Sequence, residues 1–346
     1  MSARYREIEI TGSPFEMGRQ LGEAAREEVR GFADVALERV NKTISISRNA
    51  ALEVARQSAA CVESYAPHML DELRGIAQSS GVSFDDLVLL QVRNQLQPKE
   101  DAGCTSFAAP SIVAQNWDND PALDPYTIVL RRKPTEGPAI MNITQAGLIA
   151  YIGLNDAGIG VCLNTLPAPS RRIGVPHYFT VRALYESTSL EQAVSAIRRA
   201  KRAIPANIML ATPQGPADLE VTIDDVYLLR DRKLVTHTNH CLHPQLAAVN
   251  SDFPELIESG PRLRRIDHLL CDNALSVERA QSALRDHQDY PHSICRHAND
   301  HPSTGFWVSV FSVVIEASAG RMHVSRGNPC QNGYEVYSMN LSLIHI

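Results

Sequence analysis

The sequence predicts an α+β layered sandwich, antiparallel sheets with helices packed outside, and three observations carry that prediction. Roughly the first hundred of the 346 residues keep helical hydrophobic spacing. The pattern changes abruptly at Cys104 to short β-rich runs. Those runs are separated by hairpin-length turns of Pro, Gly, Asn and Asp and are interrupted by helical blocks, which favours antiparallel pairing.

In chain order, Gly12-Ser13-Pro14 opens an amphipathic helix over 12–33, with Phe15, Met17, Leu21 and Val29 on its apolar face. Residues 34–97 continue in helical spacing, punctuated by Pro67 and Gly81-Val82-Ser83, with Ser83 an N-cap before Asp85-Asp86. Strands are expected at 106–113, 126–132, 139–144, 149–154 and 158–165. Asn155 and Gly158 read as a hairpin turn. Helices follow at 179–187 and, capped by Ser189, at 190–200. Strands return at 208–212, 219–222, 226–230 and 234–238, helices at 262–270 and 277–284, and strands at 306–316 and 321–327. No repeat or low-complexity linker divides the chain, so the helical leader is expected to wrap onto the sandwich as part of one domain.

Composition narrows the function. Hydrophobic residues make up 44% and charged residues 21%, with a net charge of -6, which argues against nucleic acid as a partner. Arg131-Arg132-Lys133 and Arg198-Arg199 with Lys201-Arg202 read as solvated faces. No run approaches the ~18 apolar residues of a membrane span. Met1 to Arg6 lacks an apolar stretch, so no secretory signal is expected and the protein reads as cytoplasmic. Seven scattered cysteines, an odd number, do not suggest a disulfide framework. Cys104 can therefore be judged as a thiol, while Cys61, Cys162, Cys241, Cys271, Cys295 and Cys330 take structural readings.

The tetrapeptide Ala102-Gly103-Cys104-Thr105, with Asn116-Trp117-Asp118 following on a strand-forming run, suits a self-cleaving enzyme. If the Gly103–Cys104 bond is cut, Cys104 becomes an N-terminus. Its α-amine, with an unperturbed pKa near ~8, can then activate its own thiol. A rival chemistry is a metal site. His237, His240, Cys241 and His243 form one His/Cys cluster, and His292, Cys295, His297 and His301 another. Neither has paired CxxC or HExxH spacing, so no metal and no cofactor are expected. A non-processing ligand-binding protein is a third reading.

The segment Asp101-Ala102-Gly103-Cys104-Thr105-Ser106-Phe107, with Gln115-Asn116-Trp117-Asp118, resembles the acyl-CoA:isopenicillin N (6-aminopenicillanic acid) acyltransferase family. These are self-processing N-terminal-nucleophile (Ntn) hydrolases distantly related to penicillin V acylase and bile salt hydrolase. Further similar pieces are Gly12-Ser13-Pro14-Phe15-Glu16-Met17-Gly18, the stretch from Ile152 to Asn164, Thr238-Asn239-His240, Ser259 to Arg265, and Ile294-Cys295-Arg296-His297. The resemblance implies a four-layer αββα fold, autocleaved into a helical chain of residues 1–103 and a catalytic chain of residues 104–346 that stay associated, with a higher homo-oligomer open. It implies Cys104 as nucleophile and base, Asp118 beside the amine, Asn239 as oxyanion donor, and Arg262 near the thiol. Ser106 and Asn164 would line the substrate pocket. Gln115 stands where the penicillin V acylases and bile salt hydrolases carry Arg, which favours the acyltransferase branch. The expected substrate is a small N-acylated amine, amino acid or peptide, hydrolysed through a thioester, with acyl-CoA-dependent transfer as the alternative.

Overall fold

The computed structural model describes residues 4–42, 44–96, 103–253, 258–271, 274–300 and 305–339. Asp101 and Ala102, which open the cysteine motif, lie outside the described residues, as does His301.

The leader is not purely helical, which corrects the expectation for the first hundred residues. Alternation in Glu7-Ile8-Glu9-Ile10 builds a strand, β1 (Glu7–Gly12). Helices α1 (Pro14–Ala24), α2 (Arg26–Val40), α3 (Arg48–Tyr65), α4 (Pro67–Ser80) and α5 (Phe84–Leu96) follow. The single helix expected over 12–33 is thus two, broken at Ala25. Ser13 and Glu16 form a capping box at the head of α1, and Ser83 Oγ accepts the Asp86 N–H at 3.1 Å, the expected cap of α5. Gly18 has a packing reason: a Cβ there would lie 1.9 Å from the Glu72 carbonyl oxygen, so only glycine lets α1 cross α4 this closely.

The first hairpin, β2 (Cys104–Ala109) and β3 (Ile112–Asn119), was expected as one run over 106–113. Pro110 and Ser111 split it, with Ser111 at φ 67. Then come β4 (Thr127–Pro134), β5 (Ile140–Gln145), β6 (Ile152–Asn155), β7 (Gly160–Asn164), α6 (His177–Tyr185) and α7 (Leu190–Arg199). Next are β8 (Ala206–Thr212), β9 (Gly215–Val221), β10 (Val226–Leu229), β11 (Val235–His237), α8 (Ser259–Leu270) and α9 (Val277–Leu284). The described chain closes with β12 (Val308–Glu316), β13 (Arg321–Arg326) and β14 (Glu335–Ser338).

One sheet has the order β1-β4-β5-β6-β7-β8-β9-β10 and the other β11-β2-β3-β12-β13-β14. Every neighbouring pair is antiparallel except β1 with β4. Strands β2 and β3 face β7 and β8 across the interior. On the far side of the smaller sheet, Phe107, Ala114 and Val314 pack on Ile266 and Leu270 of α8 and Leu284 of α9. The leader helices contact the larger sheet. The layers are therefore α, β, β, α, as the pattern and the resemblance both implied.

Arg131 and Arg132 are buried, which corrects the solvated-face reading. The reason lies in the leader. Glu72 of α4 is fully buried and accepts from Arg132 Nε at 2.8 Å and from Arg182 Nη1 of α6 at 2.7 Å. Burial alone would raise the Glu72 pKa, but the two guanidiniums outweigh it and hold the carboxyl below its ordinary range. Removing Glu72 leaves two buried cations facing each other. Glu72→Ala is expected to cost about 3–5 kcal/mol of stability, read by denaturant unfolding. A loss under about 1 kcal/mol, the scale of a surface pair, would mean that water or another acceptor reaches both guanidiniums.

Candidate active site

Strand alternation decides what the head of β2 meets. Cys104 lines the cleft between the sheets, and Ser106 turns to Asn164 of the facing sheet. Thr105 and Phe107 turn to α8 and its neighbours. The β2–β3 register pairs Cys104 with Trp117, so the adjoining residues, Gly103 and Asp118, are brought together. Asp118 donates its backbone N–H to the Gly103 carbonyl at 3.1 Å. That carbonyl belongs to the peptide bond preceding Cys104.

Asp118 is fully buried. Its Oδ1 accepts from Ser309 Oγ of β12 at 2.6 Å, and its Oδ2 has no partner among the described residues. Burial pushes the carboxyl pKa up to about 7, against the pull of Arg262, Ser309 and Arg296. A Cβ built on Gly103 would lie 2.9 Å from Arg296 Nη1 and 3.0 Å from Asp118 Oδ2. A side chain there would have to displace the Arg296 guanidinium and press on the unpaired carboxylate oxygen.

Arg262, buried on α8, ties three segments together. Its Nη1 donates to the Cys104 carbonyl and, at 3.0 Å, to Thr105 Oγ1, while Nη2 donates to Asn239 Oδ1 at 2.8 Å. The same Asn239 oxygen accepts the Cys104 N–H at 2.9 Å. Two donors on one atom fix the orientation of the amide. Asn239 Nδ2, the atom an oxyanion would use, donates to Thr165 Oγ1 at 2.9 Å. The Cys104 thiol is pushed up to about 12 by burial and then by Asp118, with Arg262 opposing the shift. Near neutral pH such a thiol is protonated.

On the facing sheet, Asn164 Nδ2 donates to Ser106 Oγ at 2.7 Å and to Asn207 Oδ1 at 3.1 Å. Gln115 Oε1 accepts the Leu163 N–H at 2.8 Å and its Nε2 donates to the Leu163 carbonyl, stitching β3 to β7. The residues singled out from the sequence thus converge. Gly103, Cys104, Asp118, Asn239 and Arg262 are linked by direct contacts, and Ser106 with Asn164 forms the adjoining pair. Asp118 does not cap a turn; Asp120 does, accepting from Ala122 N–H at 2.9 Å.

Sequence reasoning missed Ser309, Thr165 and the place of Arg296. Ser309 shares its strand with Ser312 and Glu316, so polarity alone does not single it out. Arg296 was quoted within a motif but given no role; it reaches Gly103 from a loop while its Nη1 pairs with Glu258 Oε2 at 2.9 Å. Thr165 carried no signal at all.

A cleft of about 980 Å³, counting its open mouth, ends at Cys104. Trp117, Tyr151 and Asn164 form part of one wall, and leader residues Phe32, Arg39 and Arg93 part of the other. Asp120 takes Arg39 and, at 3.3 Å, Lys42. Arg93 has no carboxylate partner among the described residues, and its guanidinium lies 5.1 Å from the Phe32 ring centre and 5.3 Å from that of Tyr178. The first His/Cys cluster does not converge. His237 pairs with Glu220 at 3.0 Å, His240 meets Ser259 Oγ at 2.7 Å, and Cys241 Sγ donates to the Pro167 carbonyl at 3.4 Å.

Fold and cleft define an αββα protein whose pocket ends on a buried cysteine at the head of an inner strand. The chain belongs to the acyl-coenzyme A:6-aminopenicillanic acid acyl-transferase family, whose model matches residues 107–331. It is 28% identical to the acyl-coenzyme A:6-aminopenicillanic-acid-acyltransferase 40 kDa form of Emericella nidulans, over 97% of this chain and 96% of that protein. Among solved structures, a variant of the conjugated bile acid hydrolase from Clostridium perfringens aligns at 11% identity and TM-score 0.46, covering 70% of this chain and 100% of that one. Penicillin V acylase from Agrobacterium tumefaciens aligns at 12% identity and TM-score 0.41, covering 65% and 74%. Among the described residues, no helix is long and apolar enough to cross a membrane.

The state of Asp118 is testable through stability. Its folded pKa of about 7 lies above the ordinary 3.8, so the folded chain holds this proton more tightly than the unfolded chain. Stability from this group is therefore full at low pH and is lost as pH rises from about 4 through 7. In a Cys104→Ala background, Asp118→Asn is expected to raise the melting temperature over its parent more at pH 8 than at pH 5. Equal shifts at both pH values would show that the carboxyl titrates normally.

Proposed function

We propose that this family member is a cysteine Ntn hydrolase, activated by cleavage between Gly103 and Cys104, that hydrolyses the amide of a small N-acylated amino acid or peptide. The observation that carries the reading is the Gly103 carbonyl held by the Asp118 N–H, with the unpaired Asp118 Oδ2 beside it and the Cys104 thiol one residue on.

In the first step Cys104 Sγ attacks the Gly103 carbonyl carbon. The Asp118 N–H supports the oxyanion, the C–N bond breaks, and the thiol proton finishes on the Cys104 nitrogen. Water then hydrolyses the thioester, giving a Gly103 carboxylate, a free thiol and a free α-amine. Asn239 Oδ1, which accepts the Cys104 N–H in the intact chain, would accept from that amine, and the unpaired Asp118 Oδ2 supports a second such bond. Arg262 beside the thiol favours the thiolate.

In turnover the amine takes the thiol proton, Sγ attacks the substrate carbonyl, and the leaving nitrogen receives the proton. Asn239 Nδ2 exchanges Thr165 for the new oxyanion, and Asn164 and Ser106 shape the wall. Loss of one such donor typically costs about 2.7–4 kcal/mol of transition-state stabilisation. Water releases the acyl group. The likeness to an acyl-CoA-dependent relative favours a second reading in which an amine takes the acyl group from the same thioester.

Arg93 supports an anionic substrate end. A cation in the cleft with no carboxylate among the described residues suits a substrate carboxylate, and the two rings beside it hold its guanidinium plane. Arg93→Ala is expected to raise KM for N-acyl amino acids about ten- to hundredfold, the scale of one charged hydrogen bond, while sparing their uncharged amides. Equal effects on both would remove Arg93 from substrate recognition.

The experiment for the reading as a whole is intact mass under denaturing conditions. Two chains with a junction at 103/104 are expected for the unmodified protein, and one chain for Cys104→Ala. A single chain in an active enzyme, or cleavage in the alanine variant, overturns the proposal.

A further inference from the structure

Four side chains outside the cleft converge where three stretches of chain meet. They are His287 after α9, Cys295 and His297 on the loop before β12, and Cys330 on the turn after β13. One donor atom from each lies within 4.8 Å of all the others. Cys295 and His297 come from the second sequence cluster, and among the described residues His287 and Cys330, not His292, join them. His292 turns instead to Glu258, 2.7 Å away.

The spacings around His297 Nε2 are those of a coordination sphere, and the other donors lie within 4.8 Å of one another. A tetrahedral zinc ion with Zn–S near 2.3 Å and Zn–N near 2.0–2.1 Å requires edges of about 3.3 Å between nitrogens and about 3.6 Å between nitrogen and sulfur. His287 Nε2 and His297 Nε2 are 3.0 Å apart, Cys295 Sγ and His297 Nε2 3.7 Å, and Cys330 Sγ and His297 Nε2 3.5 Å. Asn328 Nδ2 lies 3.6 Å from Cys295 Sγ and donates to the Arg296 carbonyl at 2.6 Å, the sort of outer contact that orients a thiolate ligand.

We propose that His287, Cys295, His297 and Cys330 bind one structural zinc ion. Four protein donors close the sphere, leaving no open position for substrate, and none of the four lines the cleft. Binding displaces the two thiol protons as the thiolates coordinate. Two ligands flank Arg296, the residue whose guanidinium crowds Gly103. The ion would thus clamp the Arg296 loop to the turn at 328–331 and fix the site's edge from behind.

The test is metal analysis of the full-length protein purified under reducing conditions from zinc-supplemented cells. About one zinc per chain is expected, with most of it lost in both Cys330→Ser and the exposed-site variant His287→Ala. Replacing zinc by Co²⁺ should give the d–d absorption of a four-coordinate thiolate site, absent from both variants, and chelation should lower the melting temperature of the wild type. If Cys330→Ser does not fold, His287→Ala carries the comparison alone. Less than about a tenth of an equivalent after reconstitution with Zn²⁺ overturns the proposal. So does a Cys295–Cys330 disulfide whose reduced form takes up no Co²⁺.

Discussion

The register of one hairpin carries the site. Pairing Cys104 with Trp117 puts the Gly103 carbonyl under the Asp118 N–H, and everything else is arranged around that meeting. A slip of one residue would turn Cys104 out of the cleft and Asp118 away from Gly103, because side chains alternate along a strand. The register is held from both faces. Gln115 grips the Leu163 backbone on one side, and Asn116 Nδ2 donates to the Leu284 and Ile294 carbonyls, both at 2.8 Å, on the other. These neighbours of Asp118 are polar and buried, and Gln115 through both ends of its amide and Asn116 through its Nδ2 hold the strand in one setting where apolar residues would tolerate sliding.

The electrostatics around Asp118 follow from burial more than from pairing. Two arginines lie close, yet the carboxyl remains hard to ionise and one of its oxygens has no donor among the described residues. Such an uncompensated group is costly in a resting protein. It makes sense at a place where a new donor is to arrive, and an α-amine at residue 104 would be that donor. Arg262 meanwhile spends its donors on the Cys104 carbonyl, Thr105 and Asn239, so it stiffens the strand head as much as it tunes the thiol.

Much of this was legible in the residues. The helix-to-strand switch at Cys104 located strand β2, and the motifs around Asp118, Asn239 and Arg262 lie together in the structure. What was illegible depended on partners distant in sequence. Arg132 read as a surface charge because its partner, Glu72, sits in another element. Strand β1 alternates over Glu7-Ile8-Glu9-Ile10, but its partner, β4, is distant in sequence. The hairpin turn was missed because Ser111 takes a left-handed conformation usually left to Gly or Asn. Asn239 lies beside Cys104, and which end of its amide faces that residue is set by the two donors that surround its oxygen.

The leader's grip on the rest of the molecule has one more consequence. Glu72 pairs with two arginines that belong to the other side of residue 103, one of which also takes Glu186, and β1 adds a parallel edge strand to the larger sheet. Were the 103–104 bond opened, the first segment would have to abandon a buried anion's partners and a sheet edge at once in order to leave. It would therefore behave as a permanent subunit, with one wall of the cleft in its keeping. Evolution could split the gene at that point only if both halves were made together, for neither would bury its charges alone.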